Sequence, residues 1–348
     1  MVSMPLGEFA LIDRYFRDLG ITRGDVLLGV GDDGALLRPP PGFDLVAVSD
    51  TLVEGVHFPA GASARSVGHR ALAVNLSDIA AMGAVPAWSL LALTLPSVDE
   101  RWLEESAAGF GALAREHQVA LVGGDTTRGP LMLGVQVLGF VPQGQGLRRA
   151  GGKPGDLLCV SGTPGEAAAG LALLQQTIRL PEAPRATPAL EQAAHQLRRR
   201  FEFPTPRLAL GAALRDLASA CIDVSDGLLG DAGKLAAASG CTAIVDLDRL
   251  PHSTALSALV AAQCLSEPAA LRCALAGGDD YELVFSVPQA QRERLHELAA
   301  RENISMIGEL APAVGAEPAS NVQLRRGGRW LASEEFAALA AGFDHFAA

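Results

Sequence analysis

The sequence predicts a two-domain α/β fold. Short apolar runs typical of buried strands alternate with longer alanine-rich or amphipathic stretches typical of helices. The composition turns to glycine, proline and basic residues over 144–156, as it does in linkers between domains. A chain of 348 residues is long enough for two hydrophobic cores. We therefore predict an N-terminal domain over 1–143 and a C-terminal domain over 144–348.

The N-terminal domain is predicted to mix helices and strands. Its helices are expected at 8–19, 65–82 and 99–117, and Ser97 or Asp99 is a suitable N-cap for the third. Its strands are expected at 26–30, 45–49, 88–95, 119–122 and 132–140, and the first two are predicted to be buried.

The C-terminal domain is predicted to be a second α/β unit. Its strands are expected at 157–161, 222–224, 243–247 and 283–287, and its helices at 206–220, 230–239 and 289–302. The stretch 179–195 is rich in proline and alanine, and we predict an insertion or a mobile loop there.

Composition and charge exclude several classes of protein. With 39 acidic and 28 basic residues the net charge is −11, which argues against a nucleic-acid-binding surface. Residues 79–98 are uncharged, but Gly83, Pro86 and Pro96 interrupt them, so we predict no membrane span. The N-terminus lacks the features of a signal peptide. Five cysteines without a CxxC spacing favour neither a disulfide framework nor a zinc site, and we expect a cytoplasmic protein.

Acidic residues recur in six short clusters, most of them flanked by glycine and next to an apolar run. The clusters lie at 31–34, 49–51, 75–78, 123–126, 223–227 and 277–282. Taken alone, each is more often a turn or a helix cap. Adjacent carboxylates such as Asp32 and Asp33, however, repel each other unless a cation or a basic partner offsets them. Because hard cations such as Mg²⁺ prefer oxygen ligands, six such clusters favour a multi-metal site that handles phosphate.

Other motifs are weaker or point elsewhere. Residues 29–34 match G-x-G-x-x-G, but the prolines at 39–41 leave no room for the helix that a dinucleotide site requires. A P-loop motif is absent. The basic loop 148–153 suits phosphate oxygens, although a solvated linker explains it about equally well. Neither a Ser-His-Asp nor a Cys-His arrangement stands out, so covalent catalysis has no candidate nucleophile.

Taken together, the motifs resemble those of the thiamine-monophosphate kinase family, which belongs with aminoimidazole ribonucleotide synthetase and selenophosphate synthetase. The resemblance runs in the same order through 29–33, 49–58, 73–84, 123–126, 149–156, 222–228, 277–283 and 342–346. It implies transfer of the γ-phosphoryl group of ATP to thiamine monophosphate, giving thiamine diphosphate and ADP. It also implies a homodimer in which the N-terminal sheets of two subunits pair into a β-barrel, with ATP bound near that interface.

The resemblance also implies roles for individual residues. The implied Mg²⁺ ligands are Asp32, Ser49, Asp50, Asp78, Asp125, Asp223 and Asp226. The implied ATP contacts are Gly124, Asp125, Arg149 and Ser225, and the implied contacts to thiamine monophosphate are His57, Asp279, Asp280, Glu282 and Phe343. Catalytic roles fall to Asp78, Asp125 and Arg149. The chain departs from the family at Asp279, where Glu is usual, and at Val48, where Ser or Thr is frequent.

The expected mechanism is direct in-line phosphoryl transfer assisted by several Mg²⁺ ions, because the acceptor is already a phosphate and needs no strong base. Two alternatives remain open. One is another ATP-using member of the superfamily, such as an aminoimidazole ribonucleotide synthetase; for selenophosphate synthetase we would expect a cysteine near the N-terminus, and none precedes Cys159. The other is a regulator that binds nucleotide or metal without catalysis.

Overall fold

The computed structural model describes residues 7–182, 187–313 and 321–339. Over these residues the chain has the mixed α/β architecture that the sequence predicts. Its contacts divide it into two compact units. The first comprises the chain before Ala80 together with Ala84–Gly146, and the second comprises Ala80–Gly83 and the chain after Gly146. Phe343 lies outside the described residues.

The first unit is built on four long strands, a small hairpin and two long helices. Its elements are α1 (Glu8–Leu11), a π-helical turn (Ile12–Phe16), β1 (Val26–Leu28), β2 (Leu36–Leu37), β3 (Phe43–Val53), α2 (Ala64–Ala81), β4 (Val85–Leu95), α3 (Glu100–Glu116), β5 (Ala120–Arg128) and β6 (Met132–Pro142). The predicted cap of α3 is confirmed, because the Asp99 side chain accepts a hydrogen bond of 3.1 Å from the Trp102 amide.

The long strands form a sheet in the order β3-β6-β4-β5, in which only β4 and β5 are parallel. One side, which we call the helix face, carries the buried Val46 and Leu52 of β3. A Cβ added at Gly139, in register with Val46, would meet the Ile79 side chain of α2. The other side, the open face, carries side chains such as the exposed Leu45 of β3.

The first two predicted strands are less buried than expected. Leu27 and Leu28 of β1 are 51% and 37% exposed, and β3 alternates between buried and exposed residues. The reason for β1 is that it pairs only with β2, as a separate two-stranded sheet. Only the side of the hairpin that carries Val26 and Leu37 packs against a buried cluster.

The second unit is built on a seven-stranded sheet. Its elements are β7 (Leu157–Ser161), α4 (Glu166–Leu174), α5 (Pro188–Glu202), α6 (Leu208–Leu214), β8 (Ala220–Val224), α7 (Leu228–Ala238), β9 (Cys241–Asp246), α8 (Thr254–Ala261), α9 (Glu267–Ala276), β10 (Glu282–Val287), α10 (Arg292–Ala299), β11 (Ile304–Pro312), β12 (Val322–Arg326), β13 (Arg329–Trp330) and α11 (Ser333–Ala337). The strand order is β13-β12-β9-β11-β7-β10-β8, and of these pairs only β9 and β12 are parallel. Every residue of β7, β8 and β10 is buried.

Two predictions for this unit were wrong in part. Residues 188–195 belong to α5 instead of a loop, because the Thr187 side chain caps the helix and Pro188 occupies its first position. The helix predicted to reach residue 220 ends at Leu214, because Ala220 already pairs with Ser286 in the sheet. Along the ranges that the structure describes, no helix combines the length and apolarity needed to cross a membrane.

Candidate functional site

Four of the residues implicated by the sequence lie on the two outer strands of the first sheet. Asp50 of β3 stands in one row with Gly124 of β5, through Val135 and Leu91 on the strands between them. Asp125 stands in the next row, opposite Ala92, Gly134 and Thr51. Gly124 has φ +151°, and a Cβ there would collide with the Leu91 backbone. Glycine is therefore required where β5 approaches β4.

The register separates the two carboxylates of this sheet. Directly opposed residues share a face and successive residues alternate, so Asp50 points to the helix face and Asp125 to the open face. The strands β3 and β5 are three steps apart, which is about 14 Å at the usual spacing. Ser49 shares the open face with Asp125. Within one copy of the sheet, Asp50 and Asp125 therefore cannot hold the same ion.

The other implicated residues of the first unit lie in connections and on α2. Asp78 is half-buried, whereas its neighbours on both sides in α2 are buried. Asp32 is exposed between β1 and β2 and accepts a hydrogen bond of 2.8 Å from the Asp33 amide. The Nδ1 atom of His57 accepts a hydrogen bond of 3.0 Å from the Val53 amide, which fixes the turn after β3.

No three His, Cys, Asp or Glu side chains form a metal-binding group within the described ranges. A cation such as Mg²⁺ usually takes one or two carboxylates and completes its shell with phosphate oxygens and water. The accessible donors are of the matching kind, because the exposed or half-exposed Asp32, Asp50, Asp78 and Asp125 all offer hard oxygens.

In the second unit, two of the acidic clusters meet. The cluster 223–227 begins in the last two residues of β8, and the cluster 277–282 ends at the first residue of β10, its antiparallel neighbour. The Asp279 amide donates to the Ser225 carbonyl at 2.9 Å, and the Tyr281 amide donates to the Val224 carbonyl at 2.8 Å. A Cβ at Gly278 would strike the Ser225 carbonyl, so glycine permits this approach. The predicted nucleotide side and the predicted acceptor side thus touch within one unit.

A lysine that the sequence analysis missed lies at the first of these clusters. Lys234 of α7 contacts the carboxylates of Asp226 and Asp231, the latter at 2.8 Å. The second oxygen of Asp231 accepts hydrogen bonds from the Ser225 and Asp226 amides at 2.9 and 3.0 Å. Burial raises the pKa of Asp231, and the Lys234 ammonium opposes that rise. Asp223 is buried, 5% exposed, whereas the Asp226 side chain is 43% exposed.

The structure puts Asp280 and Glu282 in the interior, where both are 0% exposed. The Asp280 carboxylate accepts hydrogen bonds from the Gly165 and Ala167 amides at the start of α4, at 2.8 and 3.3 Å. Burial raises the pKa of Asp280 well above its ordinary value. Of the three acids in this cluster, only Asp279 is partly exposed, and the Tyr281 hydroxyl donates to it at 3.0 Å. Asp280 and Glu282 therefore support the backbone of this cluster from the protein interior, and Asp279 lies on its partly exposed side.

Arg149 is exposed at the other end of α7. Its carbonyl accepts a hydrogen bond of 3.2 Å from the Ser239 hydroxyl, just after the last turn of that helix. Ser225 and Asp226 precede the first turn, so the 11 residues of α7 put about 16 Å between the two places. The second unit therefore does not bring Arg149 and Ser225 to one phosphate group.

Comparisons with known proteins cover both units. The family model described as AIR synthase related protein, N-terminal domain, matches residues 31–141, and the corresponding C-terminal domain model matches 153–317. The chain is 50% identical over 292 residues to thiamine-monophosphate kinase of Salmonella typhimurium, which covers 84% of this chain and 86% of that protein.

Two solved structures are similar over nearly the whole chain. Thiamine-monophosphate kinase from Stenotrophomonas maltophilia K279a matches with a TM-score of 0.79 and 48% identity, over 93% of this chain and 98% of that one. A complex of AaThiL with AMPPCP and TMP matches with a TM-score of 0.73 and 28% identity, over 99% and 100% of the respective chains.

Proposed function

The chain belongs to the thiamine-monophosphate kinase family, and we propose that it transfers the γ-phosphoryl group of ATP to thiamine monophosphate. The observation that carries the proposal is the contact between the clusters 223–227 and 277–282, through the hydrogen bond from the Asp279 amide to the Ser225 carbonyl. A kinase must hold donor and acceptor phosphates side by side, and two acidic clusters in contact suit two polyanions bridged by cations. The similarity to a complex that contains AMPPCP and TMP supports the same pair of ligands.

We further propose that Mg²⁺ is held by Asp32, Ser49, Asp50, Asp78 and Asp125 in the first unit and by Asp223 and Asp226 in the second. When bound, the ions neutralise phosphate charge and orient the two phosphates. Each ion would take one or two of these oxygens and complete its shell with phosphate and water, which accords with the spread of the carboxylates over both faces of the first sheet.

Other residues of the chain are proposed to contact ATP and thiamine monophosphate. Gly124 is proposed to let an ATP phosphate approach the β5 backbone beside Asp125, because it carries no side chain. Ser225 offers its hydroxyl at the start of α7, and Lys234 supplies a positive charge next to Asp226. Asp279, His57 and Phe343 are proposed to contact thiamine monophosphate, and Arg149 to contact ATP away from Ser225. Because the acceptor phosphate is itself a nucleophile, the transfer is proposed to be direct and in line.

The test of this function is an acceptor comparison. The wild-type protein with ATP and Mg²⁺ should release ADP in step with thiamine diphosphate when thiamine monophosphate is the acceptor. Little ADP should form with water, thiamine or aminoimidazole precursors as acceptors. ATP made chiral at the γ-phosphorus should give inverted configuration in the product. Equal ADP release with and without thiamine monophosphate would overturn the proposal, and retention would overturn the direct transfer.

We also propose a homodimer formed through the first unit. Its support is a set of exposed apolar side chains on the hairpin and β3, including Leu36 at 60%, Phe43 at 45% and Leu45 at 48%. The outer strand β3 also ends the sheet without a further strand paired to it in the described residues, whereas the start of β5 is bridged by Gly20. A cytoplasmic location is proposed on the five cysteines, which are all free thiols.

Sedimentation equilibrium tests the dimer. The wild-type protein should sediment with twice the mass of one chain, and Leu45→Lys should shift it toward the mass of a single chain, because a charge would enter the apolar surface. Trp330→Lys changes an equally exposed side chain, 50%, in the second unit and should leave the dimer intact. A wild-type protein that sediments as one chain at micromolar concentration would contradict the proposal.

A further inference from the structure

We propose that Arg200 is a positioning residue that fixes the orientation of the Asp279 carboxylate toward thiamine monophosphate. The proposal rests on the proposed function, because it takes Asp279 as an acceptor-side residue. Arg200 lies in the last turns of α5, the helix that replaces part of the predicted loop, and no motif in the sequence pointed to it. We call residues 277–281 the acidic turn.

The acidic turn has a backbone conformation that needs external support. Asp279 and Tyr281 have φ of 66° and 51°, in the left-handed region that costs an ordinary residue free energy. The described residues include three other non-glycine positions with positive φ, Gln118, Gln176 and Gln263. Each of those follows the C-cap of a helix, where the left-handed conformation is usual. The acidic turn therefore holds strained residues that no helix end explains.

The strained turn is held from both sides. On one side, the amides of Asp279 and Tyr281 bond to the carbonyls of Ser225 and Val224. On the other side, one nitrogen of Arg200, Nη2, donates both to the Asp280 carbonyl at 3.2 Å and to the Glu282 carboxylate at 2.7 Å. Asp280 lies between the two left-handed residues, and the hydrogen bond from Arg200 to its carbonyl holds it in place.

Arg200 is itself fixed by a buried polar network. Its side chain is 16% exposed, and its Nε atom lies 3.8 Å from the Glu166 carboxylate. Glu166, only 4% exposed, also accepts hydrogen bonds from Ser253 at 2.7 Å and Gln196 at 3.3 Å. A guanidinium group with partners on several sides has little freedom to move, which suits a group that must hold a backbone carbonyl in place.

The polar network contacts the acidic turn on its buried side, because Asp280 and Glu282 are fully buried and Asp279 is partly exposed. Arg200 is therefore positioned to act through Asp279 and not by contact with the substrate. If the Asp280 carbonyl is released, the strained turn can relax, and the Asp279 carboxylate would leave its place. A displacement of about 1 Å at such a group is enough to cost a large factor in binding or rate.

The test compares Arg200→Gln with the wild-type enzyme by kinetics and by hydrogen exchange. We expect the KM for thiamine monophosphate to rise about tenfold or more and the KM for ATP to change less than twofold. The amides of the acidic turn should exchange several-fold faster, whether or not substrate is present. A loss of stability alone would not raise the KM for thiamine monophosphate while leaving the KM for ATP unchanged.

Two further variants separate positioning from charge. Arg200→Lys keeps the charge next to Glu282 but has no planar fork, so it should restore the melting temperature more fully than the KM for thiamine monophosphate. Arg325→Gln removes a comparable partly buried ion pair, 3.0 Å from Asp246, on the far side of the same sheet. It should leave both KM values and the exchange of the acidic turn unchanged.

The outcomes are distinct. Unchanged exchange in the acidic turn of Arg200→Gln, or an equal rise in both KM values, would overturn the positioning role. Full recovery of KM in Arg200→Lys would also overturn it, in favour of simple charge balance. A wild-type protein that does not phosphorylate thiamine monophosphate would overturn the proposed function instead, and with it the assignment of Asp279, before any variant is compared.

Discussion

Asp125→Asn is expected to lower kcat for thiamine diphosphate formation by about a hundredfold or more, because it removes a charged oxygen ligand from the proposed metal site. The side chain is exposed on β5, so the fold should lose little. Surface substitutions usually change stability by no more than about 0.5 kcal/mol, which corresponds to a shift of about 2 °C or less in Tm. Initial rates at saturating ATP, Mg²⁺ and thiamine monophosphate, measured beside a thermal melt, give both quantities.

The matched control is Asp44→Asn. Asp44 is also an exposed aspartate of the first sheet, but it lies on β3 outside the acidic clusters and accepts a hydrogen bond from the Gly144 amide at 2.8 Å. It should retain the wild-type kcat. Equal rates in Asp125→Asn and the wild-type enzyme would remove Asp125 from the catalytic machinery, whatever the result for Asp44→Asn.

Glu282→Gln is expected to destabilise the protein by about 3 kcal/mol, because it leaves two arginines without their buried partner. The carboxylate accepts hydrogen bonds from Arg200 and Arg207, each at 2.7 Å, and is 0% exposed. Loss of one partner from a buried ion pair is costly since the remaining charges, on side chains that are 16% and 30% exposed, can be rehydrated only in part. For a unit of about this size, Tm should fall by roughly 6–12 °C. Differential scanning calorimetry or urea unfolding measures the change.

The same substitution at an exposed pair provides the control. Glu335 bonds Arg329 at 2.9 Å on the surface, and Glu335→Gln should leave Tm nearly unchanged because water screens the pair. A fall in Tm that is similar in both variants would contradict the special role of burial.

The Glu282 effect should also depend on pH. Burial by itself raises the pKa of Glu282, but the bonds and charges of Arg207 and Arg200 outweigh it and hold the pKa below its ordinary value of 4.5. A depressed pKa in the folded state stabilises the protein above pH 4.5, and this contribution is lost as the pH falls through the folded value. The stability difference between wild-type and Glu282→Gln should therefore be largest near neutral pH and shrink below about pH 4.5.

Local patterns sufficed to predict much of the fold. The long helix α2 follows from its alanine-rich composition, and the cap at Asp99 follows from capping chemistry; both signals are encoded within a few residues. Thr187 and Pro188 carry the same capping signal for the start of α5, but the proline and alanine that dominate that stretch favour a loop prediction. The helices α4, α8 and α9 were also missed. They are short, and their apolar composition resembles that of the strands around them.

The geometry of the site depends on contacts that sequence patterns do not carry. Asp50 and Asp125 lie 75 positions apart in the chain, and their opposite orientation is set by the register of three successive pairings, β3 with β6, β6 with β4 and β4 with β5, so the acidic clusters alone could not reveal it. The burial of Glu282 depends on Arg200 and Arg207, which lie 82 and 75 residues away in the chain. The spacing of a motif locates a turn, but only long-range packing decides which of its carboxylates reaches the surface.

The strand order of the second sheet bears on how the polypeptide is made. The strand β7 pairs with β10 and β11, and β10 begins about 120 residues after β7 ends. At roughly 5–20 residues per second, the ribosome needs on the order of 10 s to deliver β10 after β7. During that interval β7, in which four of five residues are apolar, lacks both of its strand partners, whereas the first sheet can close as soon as β6 has emerged. The nascent chain is therefore expected to carry a folded first unit together with an exposed apolar β7 segment. Exposed apolar segments of this kind are what chaperones bind.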